Sequence, residues 1–270
     1  MASDYTYPDT KDCCVDIAVR YEPYSGYWEQ SEIIILEHAS KRLAVSNATC
    51  QQRSIFDAGC GDGRLLKHFA PLFGSIVAID PDPVRLGKAA ETAKREGFAC
   101  KSTFENVSLE EYSTAQRYDF VLCSHVIEHV HTFSLGKILE SLGQLLLKKG
   151  VLLITTSHSR NRDEHFTKIT LHNGAHREEV ISEATFNNLA TEKSFRSDTI
   201  VLPIHKLTRK ALYRMLNRVG VKIDVFKVYH ELDDFGDLDN HFHRDWFINL
   251  HRRLQDRYGH DMAAICCCSN

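Results

Sequence analysis

The stretch "FDAGCGDG", Phe56 to Gly63, decides the fold. Gly59, Gly61 and Gly63 alternate behind the acid Asp57. They close the apolar run "RSIFDAG" (Arg53–Gly59) and precede "RLLKHFAPLF", whose apolar spacing is helical. Strand, bare turn and helix together read as the opening of a ligand-binding βα unit. The spacing excludes two ligands of such units. A dinucleotide turn, G-x-G-x-x-G, needs a third glycine where helix meets strand, and counting from Gly59 or Gly61 puts Arg64 or Leu66 there. A phosphate-cradling loop would close on G-K-[ST], which is missing. The pattern is acid-x-G-x-G-x-G, which leaves room for a ligand without a pyrophosphate whose amino and carboxylate ends meet backbone.

Outward from the turn the chain alternates. "SIVAID" (Ser75–Asp80) predicts a second buried strand and "PVRLGKAAETAKREG" a helix stopped by Gly97. "FACKSTF" predicts a third strand, "YDFVLCS" (Tyr118–Ser124) a fourth and "VLLITTS" (Val151–Ser157) a fifth. "FSLGKILESLGQLLLKKG" predicts an amphipathic helix ended by Gly150. Solid apolar strands alternating with helices imply an α/β fold, a Rossmann-like doubly wound sheet covered on both faces. Ligands bind such sheets at the C-terminal strand ends, where "FDAGCGDG" lies. Asp80 ends the second strand roughly twenty positions past Gly59, the spacing of a carboxylate that grips ribose hydroxyls. A carboxylate there would repel a 2′-phosphate, so a plain adenosine ligand is expected.

"FDAGCGDG", "VAIDPDPVRL" and "YDFVLCSHVIEHV" together resemble the class I S-adenosylmethionine-dependent methyltransferases, in the three places where that family carries its motifs. The similarity covers Arg53 to Ser157 well and runs more loosely through "LTRKALYRMLNRVGVKIDVFKVYHEL". It implies a seven-stranded sheet, mostly parallel with the last strand antiparallel. It further implies S-adenosylmethionine as cofactor, S-adenosylhomocysteine as product, and no required metal. Asp57, Gly59, Cys60 and Gly61 would meet the methionine end, and Asp80 with Pro81 the ribose. Glu105 and Asn106 of "FENVSLEEY" would lie near the adenine, and Ser124 and His125 near the sulfonium. Helix capping is the structural alternative for the two aspartates.

The implied reaction is in-line transfer of a methyl group to an oxygen or nitrogen of a small-molecule acceptor. A hydroxyl acceptor must lose a proton, and histidine suits that task near neutral pH. His125 follows the fourth strand and His158 the fifth, so both are candidate bases. "HVIEHVH" also sets His125, Glu128 and His129 on one face of a helical turn. A similar Glu-His pair binds metal in small-RNA terminal methyltransferases, which makes an RNA methyltransferase one alternative; bracing is the bland role. H-E-x-x-H is absent. A non-catalytic cofactor-binding partner protein is the other alternative.

Composition bounds the rest. The 270 residues are 43% hydrophobic, enough for one large domain with insertions. A formal charge of −3 argues against a broad nucleic-acid footprint. No apolar run is long enough for a membrane span, and no secretory signal opens the sequence. Nine cysteines without C-x-x-C spacing, including Cys266–Cys268, favour reduced thiols in a cytoplasmic protein. Residues 1–50 are expected as a helical cap in which Tyr21, Tyr24, Tyr27 and Trp28 line the cleft or pack on the sheet. Residues 53–157 form the expected cofactor core. Residues 158–202, polar and carrying His158, His165, His172 and His176, form a long insertion, either a substrate lid or a solvated excursion. Residues 203–270 would supply the last helix, two closing strands and a helical insertion, "HFHRDWFINLHRRLQDRYG". Lys206, Lys210, Arg214 and Arg218 recur every four residues on the last helix, a solvated face or a lure for an anionic acceptor.

Overall fold

The computed structural model describes residues 27–43, 50–172, 175–191, 195–196, 199–229 and 261–268. Helix α1 (Tyr27–Leu43) precedes the alternating core. That core runs β1 (Ser54–Ala58), α2 (Leu66–Phe69), β2 (Ser75–Ile79), α3 (Pro83–Arg95), β3 (Ser102–Glu105), β4 (Tyr118–Ser124), α4 (Thr132–Gln144) and β5 (Leu146–Ser157). Helix α6 (Arg209–Arg218), β10 (Val221–Tyr229) and β11 (Asp261–Cys268) complete it. The seven strands lie in the order β10-β11-β5-β4-β1-β2-β3. β1 pairs in parallel with both β2 and β4, so the chain reverses direction across the sheet between β1 and β4. β11 is antiparallel to both β5 and β10. This is the Rossmann-like sheet expected from the sequence, with its last strand antiparallel.

Alternation along the buried strands builds two cores. In β4, Val121 and Cys123 face the layer of Leu139, Leu142, Leu212 and Leu216 from α4 and α6. Phe120 and Leu122 face Ile35, Leu66, Phe69 and Leu86 from α1, α2 and α3. A period of two thus serves both faces of a sheet that is apolar throughout. The Cys266–Cys267 pair follows the same rule. Cys266 is buried under α4 and α6, where burial pushes its thiol well above the ordinary range, while Cys267 is half-buried.

Two expectations need correction. The helix after β4 ends at Gln144, not at Gly150, because Leu145 and Leu146 are buried and the Leu145 carbonyl accepts from the Tyr118 N–H. The segment after residue 157 is neither an open loop nor bounded at 202. It folds into β6 (His165–His172), β7 (Ala175–Ile181), α5 (Glu183–Thr191), β8 (Phe195–Arg196) and β9 (Thr199–Lys206). Its four strands form an antiparallel sheet in the order β7-β6-β9-β8. Phe186 of α5 is fully buried, with its ring 5.0 Å from that of Phe166. Antiparallel sheets wetted on one face mix polar and apolar residues, so "HFTKITLH" carries no solid apolar run. The backbone bridge between His158 and Leu207 closes the insertion. Tyr21, Tyr24, the side chains of Tyr27 and Trp28, and "HFHRDWFINLHRRLQDRYG" lie outside the described residues.

Candidate active site

The glycine turn is held where β1 and β2 end. The N–H groups of Gly59 and Cys60 both donate to the Ile79 carbonyl at 2.9 Å. Gly59 and Gly61 adopt φ of 81° and 55°, the left-handed region that glycine enters without a Cβ clash. A β-carbon on Gly59 would lie 2.4 Å from Val126 Cγ2, and one on Gly61 2.8 Å from an Arg85 guanidinium nitrogen. The turn is bare because its neighbours already occupy that space. Cys60 lies beneath it, its thiol driven well above the usual range by burial.

Asp80 is built into the same loop. Its Oδ2 accepts the Gly61 N–H at 2.8 Å and its Oδ1 the Asp82 N–H at 2.9 Å. The helix-capping role falls instead to Asp82, whose Oδ1 accepts from the Val84 and Arg85 amides at the start of α3. The Asn106 side chain donates to the Asp80 carbonyl at 2.9 Å, and the Asp80 N–H to the Glu105 carbonyl. Pro81 follows at the rim, half-buried. Asp57 is buried, and no hydrogen bond reaches its carboxyl among the described residues. Burial first, and the neighbouring Asp80 charge second, push it up to about 8. Asp57, Gly59, Cys60, Gly61, Asp80, Glu105 and Asn106 therefore converge on one corner.

After β4 the chain turns sharply. The Ser124 hydroxyl shares a 2.7 Å hydrogen bond with Thr155, and the His125 N–H donates to the Thr155 carbonyl. His125 itself holds φ 53°, a conformation costly for a residue with a side chain. Its Nδ1 lies 2.8 Å from Glu128 Oε1, and its Nε2 lies 3.1 Å from the Tyr229 hydroxyl and 3.7 Å from Glu32 Oε1. Burial alone would lower its pKa. The surrounding charges of Glu128, Asp261 and Glu32 outweigh burial and raise it to about 10. The ring is a cation at neutral pH and already holds the proton that a base would have to accept. His158 sits elsewhere: its ring meets Phe226 edge-on at 6.5 Å, and the Arg209 guanidinium covers that same ring. Phe226 and Tyr229 belong to the cores on opposite faces of the sheet, so the two histidines do not share one pocket wall.

The "HVIEHVH" turn is occupied internally. Glu128 Oε2 accepts from the Thr156 hydroxyl at 2.8 Å, and its main-chain carbonyl accepts the His205 N–H. His129 Nδ1 donates to the Pro203 carbonyl at 2.8 Å, and burial holds its imidazole neutral. His129 thus braces β9 of the insertion. Among the described residues no group of three or more His, Cys, Asp or Glu side chains is arranged to hold a metal ion. No helix among them is long and apolar enough to cross a membrane.

Sequence reasoning missed Glu32, Tyr229 and Asp261. Glu32 had a signal: with Ile35, Leu36, Ala39 and Leu43 it lies on the buried stripe of α1, a lone carboxylate on an apolar face. Tyr229 and Asp261 are paired across β10 and β11, a register that no local pattern reveals.

Residues 30–200 match the family model described as a methyltransferase domain. The ubiquinone biosynthesis O-methyltransferase of Rhodopseudomonas palustris (strain TIE-1) is 30% identical over 116 residues, 43% of this chain. The chain spans 44% of that relative's length. Among solved structures, a S-adenosylmethionine-dependent methyltransferase from Clostridium acetobutylicum matches with a TM-score of 0.61 at 11% identity, over 94% of this chain and 95% of that one. The 1,6-didemethyltoxoflavin-N1-methyltransferase of Burkholderia thailandensis, with bound 1,6-didemethyltoxoflavin and S-adenosylhomocysteine, matches with a TM-score of 0.54 at 14% identity, over 98% of this chain and 94% of that one. At these identities the likeness to solved structures is one of fold.

Proposed function

The chain belongs to the methyltransferase-domain family, and we propose that it transfers a methyl group from S-adenosylmethionine to an oxygen or nitrogen of a small-molecule acceptor. One observation carries the proposal: a buried Asp57 carboxyl, which no hydrogen bond reaches among the described residues, lies in the same corner as an Asp80 carboxylate tied by two amides. An ammonium beside Asp57 would supply the missing partner. Each Asp80 oxygen spends one lone pair on an amide and keeps another for a ribose hydroxyl. Gly59 and Gly61, without side chains, would meet the methionine end, and Asn106, fixed to the Asp80 carbonyl, would stand with Glu105 at the adenine side.

When bound, the sulfonium supplies an already activated methyl group, so the residues of this chain mainly orient the reactants, an effect worth about 7–11 kcal/mol in favourable intramolecular cases. His125 enters this scheme as a fixed cation that shapes the loop after β4. His158, whose ring packs edge-on against Phe226, is the remaining candidate base for a hydroxyl acceptor. Oxygen and nitrogen are both kept as acceptor atoms because the R. palustris relative is an O-methyltransferase and the B. thailandensis neighbour an N1-methyltransferase.

The RNA alternative loses support from the internal bonds of Glu128 and His129. An anionic acceptor gains none from the basic stripe: Lys206 pairs with Glu178, and Lys210, Arg214 and Arg218 lie on the exposed face of α6. Free Cys60, Cys100, Cys123, Cys266 and Cys267 accord with a cytoplasmic setting. The test is transfer of a labelled methyl group into a panel of phenols, hydroxylated heterocycles and amines. Label in at least one acceptor supports the proposal. Cofactor binding with no transfer to any acceptor would favour the non-catalytic partner protein.

A further inference from the structure

Helix α1 reaches into the site through one buried side chain. Glu32 Oε2 pairs with Arg64, the residue that follows the glycine turn, and Glu32 Oε1 lies 3.7 Å from His125 Nε2 in the loop after β4. The Glu32 side chain is 3% exposed, so little water is present to screen either contact. A carboxylate that deep is strongly destabilising if its counter-charges leave. The two loops that Glu32 joins are those that would hold the methionine end of the cofactor.

We propose that Glu32 is a positioning residue of the cofactor site, fixing the glycine turn through Arg64 and the loop after β4 through His125, so that the site is complete only while α1 is docked. This rests on the reading of the glycine turn as that site. Glu32 touches neither reactant in this scheme and acts through the two cations. Their balance involves every element packed on His125: Glu32 from α1, Glu128 from the turn after β4, Tyr229 from β10 and Asp261 from β11. Glu128 bonds the opposite ring nitrogen and so sets the ring plane, while Glu32 sets the distance between the loops.

The test pairs two readouts on the full chain. The His125 ring is titrated by NMR without cofactor, and S-adenosylhomocysteine binding is measured calorimetrically, in wild type, Glu32→Gln and Glu32→Asp. Loss of the charge in Glu32→Gln lowers the His125 midpoint and weakens binding about tenfold, the scale expected for one member of a coupled charge network. Glu32→Asp keeps the charge and retains most of both, and it serves where the glutamine variant folds poorly. Unchanged affinity in a folded Glu32→Gln overturns the proposal, as does lost affinity with an unmoved His125 midpoint. A wild type that does not bind S-adenosylhomocysteine overturns the cofactor assignment instead, while the His125 midpoint still decides whether Glu32 and His125 are linked.

Discussion

Asp80 and Gly61 are bound to each other, carboxylate Oδ2 to amide N–H at 2.8 Å, and this bond fastens the end of β2 to the turn after β1. Two sequence motifs nineteen residues apart thereby become one surface. Asp82, two residues on, performs the separate task of capping α3.

That division of labour separates two variants. Asp82→Ala removes a helix cap and should cost about 1 kcal/mol of stability. It should leave S-adenosylhomocysteine affinity within a few-fold. Asp80→Ala should instead abolish measurable binding. Urea unfolding and calorimetry on the same preparations check both.

Gly59→Ala should destabilise the protein by about 1–3 kcal/mol, because φ 81° is costly for alanine and the new methyl would lie 2.4 Å from Val126 Cγ2. Urea midpoints measure the loss. Val126→Ala in the same background should recover part of it by making room, and would not relieve the backbone strain.

Asp57 predicts a proton release. Its pKa of about 8 in the folded protein lies above its ordinary value of 3.8, so the free protein holds this proton at pH 7. The same shift makes Asp57 a destabilising influence that grows as pH rises from 3.8 towards 8. An ammonium placed beside it favours the carboxylate, so cofactor binding at pH 7 should release close to one proton. Calorimetry in buffers of different ionisation enthalpy reads this number directly. Asp57→Asn should reduce it to near zero.

His125 shifts in the same direction, so its share of stability also falls as pH rises, over a higher window. Its pKa of about 10 exceeds the ordinary 6.5, so its contribution to stability is fully present below pH 6.5 and is lost as pH rises through about 10. Removing the main counter-charge with Glu128→Gln should flatten that part of the profile, by about 2 kcal/mol at pH 7 after allowance for solvent reaching the ring. Urea unfolding of both proteins from pH 6 to 10.5 tests it.

The parts of the molecule that were legible in the sequence share a physical cause. Strands buried on both faces must be apolar throughout, and a turn crowded by Val126 and Arg85 must be glycine, so β1, β2, β4, β5 and the corner of Asp57, Gly61 and Asp80 left local marks. The insertion left none, because β6 and β9 are half-wetted antiparallel strands whose pairing, such as Thr167 with Ile204, joins positions far apart in the chain. The charge cluster was hidden for the same reason. His125 reads as a free base when only "SHVIEH" is in view. It becomes a cation once Glu32 and Asp261, from two distant segments, join Glu128 around the ring.

The central claim is that the glycine turn and Asp80 bind S-adenosylmethionine. Calorimetric titration of the full chain with S-adenosylhomocysteine at pH 7, beside Asp80→Ala, tests it most directly. The wild type should bind with a Kd on the order of micromolar, roughly −8 kcal/mol, and the variant should show no measurable heat of binding. A wild type that does not bind, or an Asp80→Ala variant that binds as tightly as the wild type, would contradict it.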